Sequence, residues 1–212
     1  MPNDQEEILS QGAGFYEAGD DELAKRLLWP LAQKGYAAAQ YLIADMHRWG
    51  RAMEQNPHLA RHYLELAADQ GHAQAAFDLG MWLSPGVVHA PKSMNVFSKD
   101  AEKARHYQSI ALRGFLQRAS SGDVVAMHWL GFLHASGIGV AADANEAIRW
   151  YTLAFERGHH FSANGLAGIY YDSLDKGVHD QNKALFWYRR LKELNCQSIR
   201  IDELERLANS ET

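Results

Sequence analysis

Residues 37–72, AAAQYLIADMHRWGRAMEQNPHLARHYLELAADQGH, and residues 124–159, VVAMHWLGFLHASGIGVAADANEAIRWYTLAFERGH, are both 36 residues long and align without a gap. Ala39 falls on Ala126, Ile43 on Leu130, Ala44 on Gly131, His47 on His134 and Gly50 on Gly137. In the second half Ala60 meets Ala147, Leu66 meets Leu153, Ala67 meets Ala154 and Gly71 meets Gly158. Self-similarity at a fixed period of this size marks a repeat architecture, in which each unit buries its apolar face only against its neighbours.

The frame extends both ways. With one residue inserted at His160, the stretch after 160 places Ala163, Gly168, Tyr171, Ala184, Trp187 and Tyr188 in register. Ala24, Leu31, Ala32 and Gly35 precede Ala60, Ala67, Ala68 and Gly71 by one period, so an earlier copy ends there. The copy over 73–123 is longer by 15 residues. Ala-Arg-His-Tyr at 60–63 and 104–107 divides the excess into 8 residues before the second helix and 7 after Tyr107. Seven residues are two helical turns, which lengthen a helix without rotating its apolar face.

Apolar residues recur at helical spacing, as at Ala39, Leu42, Ile43 and Met46 and again at Leu59, Tyr63, Leu66 and Ala67, so each unit is two helices. Asn56 before Pro57 reads as an N-cap, and Asp143 with Glu146 as a capping box. Gly35, Gly71, Gly122 and Gly158 stand where second helices need a left-handed terminus. The expected fold is an all-α solenoid of five helix pairs in a single domain. Its units span about 5–36, 37–72, 73–123, 124–159 and 160–196, and a capping helix follows over 197–209 marked by Ile201, Leu204, Leu207 and Ala208. The column Ala44, Gly80, Gly131 and Gly168 calls for close approach of paired helices, because glycine within a helix costs roughly 1 kcal/mol against alanine.

Tyr41-Leu-Ile-Ala44, Leu130-Gly131, Ser136-Gly-Ile-Gly-Val140, Glu146-Ala-Ile-Arg-Trp-Tyr151 and Gly158-His159 resemble the Sel-one-like repeat family, relatives of tetratricopeptide repeats. Tyr16 through Gly35 is similar to the N-terminal unit of bacterial members. The resemblance covers roughly residues 12–195 and departs at Arg51-Ala-Met, at the expanded copy and at Leu174–Gly177. It implies right-handed helical stacking, roles as adaptors, regulators or inhibitory partners of other proteins, and no catalytic residues.

Composition narrows the partners. With 47% hydrophobic and 22% charged residues the chain is globular, and a net charge of -5 without a basic run gives no footprint for nucleic acid. No apolar stretch is long enough to span a membrane and the start lacks signal-peptide order, so a cytoplasmic protein is expected. The single Cys196 makes no internal disulfide and has no activating neighbour in sequence.

No enzyme chemistry is expected. Gly137-Ile-Gly-Val lacks the strand and the Lys-Ser/Thr of a phosphate loop, and Ser173-Leu-Asp-Lys176 lacks the companion motifs of serine enzymes with that pattern. His58 and His62 share a helix face but find no third ligand, and six of the eleven histidines follow the repeat, so no metal or other cofactor is expected. Trp150, Tyr151, Trp187 and Tyr188 fill the second-helix core column.

The resemblance places positions 5, 9, 12 and 13 of each unit on the concave face. Those columns hold Tyr41, Asp45, Arg48 and Trp49, then Phe77, Met81 and Ser84, then His128, Phe132 and Ala135, and last Ile169 and Asp172. Aromatic and Met anchors within a polar rim have the composition of a protein-binding groove. The expected function is a scaffold or adaptor holding a partner protein or peptide there; the alternative is a stoichiometric inhibitor or immunity-type partner of one toxin or enzyme. As exposed anchors, Phe77 and Phe132 are expected to be dispensable for folding. The loop 84–99 is a second candidate surface.

Overall fold

The computed structural model describes residues 4–85, 98–172 and 177–194, and among them it holds ten α-helices and no strand. They are α1 (Asp4–Ala18), α2 (Asp21–Gln33), α3 (Ala37–Trp49), α4 (Pro57–Asp69) and α5 (Ala73–Leu83), then α6 (Ala101–Ser120), α7 (Val124–Ser136), α8 (Ala144–Glu156), α9 (Ser162–Asp172) and α10 (Gln181–Glu193). Five consecutive pairs account for all ten. Successive pairs join through α2 with α3, α4 with α5 and α8 with α9. The helices fall into two compact units, divided between Gly114 and Phe115. The expected capping helix over 197–209, Cys196, Ser173, Lys176 and most of loop 84–99 lie outside the described residues.

Local chemistry sets the boundaries. Asn56 accepts from the Leu59 amide at 3.0 Å, and Asp143 accepts from Asn145 and Glu146 at 2.9 and 3.0 Å. Glu146 does not complete a capping box: its carboxylate pairs with Arg149 at 3.0 Å. Gly35, Gly71, Gly122 and Gly158 have φ of 94, 86, 94 and 98°, a region closed to side-chain-bearing residues without strain. The extra residues of the expanded copy lengthen α6, which has 20 residues where α4 and α8 have 13.

The paired helices approach closely at three of the four small residues. Ala44 is fully buried. A Cβ on Gly80 would lie 2.8 Å from Gln108 Cγ, and one on Gly131 would lie 2.6 Å from the Tyr151 ring. Gly168 departs from the expectation, since a Cβ there meets nothing within 4 Å. Gly165 on the same helix makes a close contact of another kind: a Cβ there would lie 2.5 Å from Tyr151 Cζ, so α9 approaches α8 of the preceding pair at that residue. Tyr151 and Tyr188 are buried as the second-helix column requires, whereas Trp150 and Trp187 are half-buried.

Candidate partner-binding surfaces of the first helices

In the first unit, α3 and α5 carry Tyr41, Asp45, Arg48, Trp49, Phe77 and Met81. Helical spacing puts 41, 45, 48 and 49 on one side of α3, yet their environments differ. The Tyr41 ring stacks on His72 at 4.8 Å, and His72 caps α5 by accepting from the Ala75 amide at 3.3 Å. Burial, then the Asp78 and Asp45 carboxylates, hold the Tyr41 hydroxyl well above the usual phenol range.

Arg48 is the centre of a buried network. Its guanidinium pairs with Asp78, lies 3.3 Å from Asp45 and covers the Trp82 ring at 4.6 Å, while its Nε has no partner. Burial alone would lower the guanidinium, but the two carboxylates outweigh it and hold it above its ordinary value. Asp78 is pushed up by burial and pulled back by Arg48. Asp45 also accepts from the Tyr16 hydroxyl and, at 3.1 Å, from the Trp49 indole N–H. Burial and that bond push the Tyr16 hydroxyl up to about 12. Arg51 caps this corner, with its guanidinium 3.8 Å above the Tyr16 ring and its Nε donating to Asp21 at 2.8 Å.

Two expectations for this unit need correction. Phe77 is only 7% exposed, so it is a core residue of α5 and not an exposed anchor dispensable for folding. Arg48 is committed to Asp78 and Asp45 and is no free polar rim. Trp49, 54% exposed, and half-buried Met81 remain at the surface. Sequence reasoning missed Asp78 and Tyr16. Asp78 had a visible signal, as the sole charged residue of α5.

In the second unit, His128 on α7 faces Tyr151 at 5.2 Å and His159 at 4.5 Å. The fully buried Ser162, which sequence reasoning missed, bonds to Nδ1 of His128 at 3.0 Å and of His159 at 2.9 Å. Burial, and then His159, lower His128 to about 4. His128 is thereby a packing residue between pairs, a correction to its place in the groove. Phe132, Ile169 and Asp172 do come together, around a cleft of about 300 Å³ shared with Ala135 and Tyr151. Among the described residues no three or more His, Cys, Asp or Glu cluster as metal ligands, and no helix is long and apolar enough to cross a membrane.

Comparison with known proteins matches the Sel1 repeat model to residues 37–72, 73–111, 124–159 and 160–196. The chain is 29% identical over 149 residues to the chitin synthase regulator SKT5 of Malassezia restricta, covering 69% of this chain but 9% of that regulator. It is 25% identical over 228 aligned positions to the Sel1-repeat-containing protein YjcO of Escherichia coli, covering 92% of this chain and 94% of that one. The crystal structure of a Sel1 repeat protein from Oxalobacter formigenes superposes with a TM-score of 0.59 at 26% identity, over 89% of this chain and 69% of that chain.

Proposed function

This chain belongs to the Sel1 repeat family, and from that premise we propose that it is a cytoplasmic interaction module that holds a partner protein or peptide on its first helices and performs no catalysis itself. The observation that carries the reading is that the first-helix columns leave Trp49 exposed and Met81, Phe132 and Ile169 half-covered, with Asp172 exposed on α9. Large apolar side chains at a charged margin are the usual anchors of protein recognition. The net charge of -5 favours a protein partner over nucleic acid. The regulators among its relatives, of which the chain spans 9% and 12%, support a role exerted on another protein.

The test is capture from extract of the source organism by the immobilised chain, read by mass spectrometry. Trp49→Ala with Ile169→Ser should lose the captured proteins, and Phe186→Ser, at a 58% exposed position on α10, should keep them. Capture that survives the first change and fails with the second would move the binding surface to the second helices. Several captured proteins fit an adaptor, and a single stoichiometric one fits an inhibitor.

A further inference from the structure

Trp49 ends α3 with 54% of its surface exposed, yet its indole N–H is not left to water. It donates at 3.1 Å to Oδ1 of Asp45, one turn earlier on the same helix. That carboxylate is itself held from two other places. Its Oδ2 accepts from the Tyr16 hydroxyl on α1, and its Oδ1 lies 3.3 Å from the Arg48 guanidinium, which is paired in turn with Asp78 on α5. Tyr16 is fixed from behind, because Arg51 covers its ring at 3.8 Å and donates to its carbonyl at 2.7 Å. The Tyr16 hydroxyl is pushed up to about 12, so it keeps the proton it donates across the neutral range. Side chains from separate helices thus fix one carboxylate, and the carboxylate fixes the large apolar side chain that α3 leaves exposed.

The repeat fold does not require this arrangement. In the copy over 124–159 the positions of Asp45 and Trp49 hold Phe132 and Ser136, and α7 still pairs with α8. Water satisfies an exposed indole N–H about as well, so the bond to Asp45 adds little to stability and acts instead on where the ring points. An indole has one donor and no acceptor, so with that donor spent inside the chain the ring meets a partner as an apolar surface. We propose that Asp45 is a positioning residue for recognition, holding the Trp49 indole in one orientation before a partner protein arrives, so that apolar or planar side chains of the partner pack on the ring; this rests on the interaction-module reading above. Ordering a side chain on association costs affinity, and an anchor ordered in advance avoids that cost. Through Tyr16, the helix pair α1–α2, which precedes the first matched repeat, shapes the surface of α3 without touching the partner.

Two measurements on the full chain test this. In the free protein the indole N–H resonance of Trp49, identified by its loss in Trp49→Phe, should show a heteronuclear NOE as high as the α3 backbone. It should fall in Asp45→Ser and fall partway in Tyr16→Phe, with the α3 backbone values unchanged. The second is a double-mutant cycle on affinity for the most abundant protein that the unaltered chain captures, purified and titrated by calorimetry. Asp45→Ser should weaken binding roughly two- to tenfold where Trp49 is present and change nothing in the Trp49→Ala background. A merely structural role for Asp45 would weaken both backgrounds alike. An indole as mobile in the unaltered chain as in Asp45→Ser, or equal losses in both backgrounds, overturns the proposal. Binding unchanged by Trp49→Ala would also overturn it and leave the interaction module standing on other residues; no capture by the unaltered chain would remove both.

Discussion

The imidazoles of His128 and His159 face each other with centroids 4.5 Å apart, in the places of one repeat that Tyr41 and His72 occupy in another. The shared Ser162 hydroxyl has one proton to give, so at least one of the two rings must donate to it through Nδ1. Charging both rings would set two cations in contact in a buried place. Burial and then His159 lower His128 from 6.5 to about 4, and burial also lowers His159, with His160 acting in the same direction. Between these values the unfolded chain binds more protons than the folded one, so stability rises with pH and is lost as pH falls from about 6.5 toward 4. His128→Tyr, which installs the Tyr41 arrangement, should flatten this slope. Urea unfolding of both proteins across the window checks it, and parallel stability curves would count against the pair.

The helices, their pairing and their ends were legible because period and capping are local properties. The two extra turns of α6 followed from counting alone. The surface was less legible. Position 5 lies on the same helix face as positions 9 and 12, but Tyr41 and His128 there pack toward the next pair, onto His72 and His159, and Phe77 is buried. Periodicity assigns a face, while the neighbouring pair decides how much of it is covered. On α9 likewise, a Cβ on Gly165 would meet the Tyr151 ring of α8 while one on Gly168 meets nothing within 4 Å, a difference that no spacing rule revealed.

Two glycines of the same column should therefore respond oppositely. Gly131→Ala forces a methyl into the Tyr151 ring and should cost about 1–3 kcal/mol, whereas Gly168→Ala enters open space and should gain up to about 1 kcal/mol from helix propensity. Chemical denaturation of both variants decides. Equal effects would mean that the column packs uniformly.

The Arg48–Asp78 pair should be costly to break on one side. Asp78→Ala leaves a buried guanidinium with only Asp45 nearby, and losses of about 3–5 kcal/mol are typical of such changes. Replacing both, Arg48→Met with Asp78→Leu, removes the uncompensated charge and should restore most of the loss. A double-mutant cycle in urea measures the coupling, and additive losses would show that the pair is not coupled.

Ala52 has φ of 51° where the matching residue of the other repeat is Gly139 with φ of 70°. Its carbonyl is held by Lys25 Nζ at 2.8 Å, so the left-handed turn persists despite the side chain. Relief of that strain is worth roughly 1–2 kcal/mol and exceeds the roughly 0.4–1 kcal/mol that glycine adds to the unfolded chain's freedom. Ala52→Gly should accordingly raise the melting temperature slightly. A lower value would mean that the alanine methyl makes a contact outweighing the strain.

Phe77 and Trp49 separate core from surface within the first unit. Both belong to the columns expected to face a partner, but Phe77 is 7% exposed and Trp49 is 54% exposed. Truncating a buried phenylalanine costs about 3–5 kcal/mol through lost transfer energy and the cavity left behind, so Phe77→Ala should melt well below the parent protein. Trp49→Ala loses one exposed indole and its bond to Asp45, and its stability should stay within about 1 kcal/mol of the parent. Capture of partner proteins should follow the reverse order, with Trp49→Ala impaired while folded. Phe77→Ala should bind normally at temperatures where it remains native. Thermal melts paired with capture at low temperature distinguish the two, and a stable, binding-deficient Phe77→Ala would return that ring to the interaction surface.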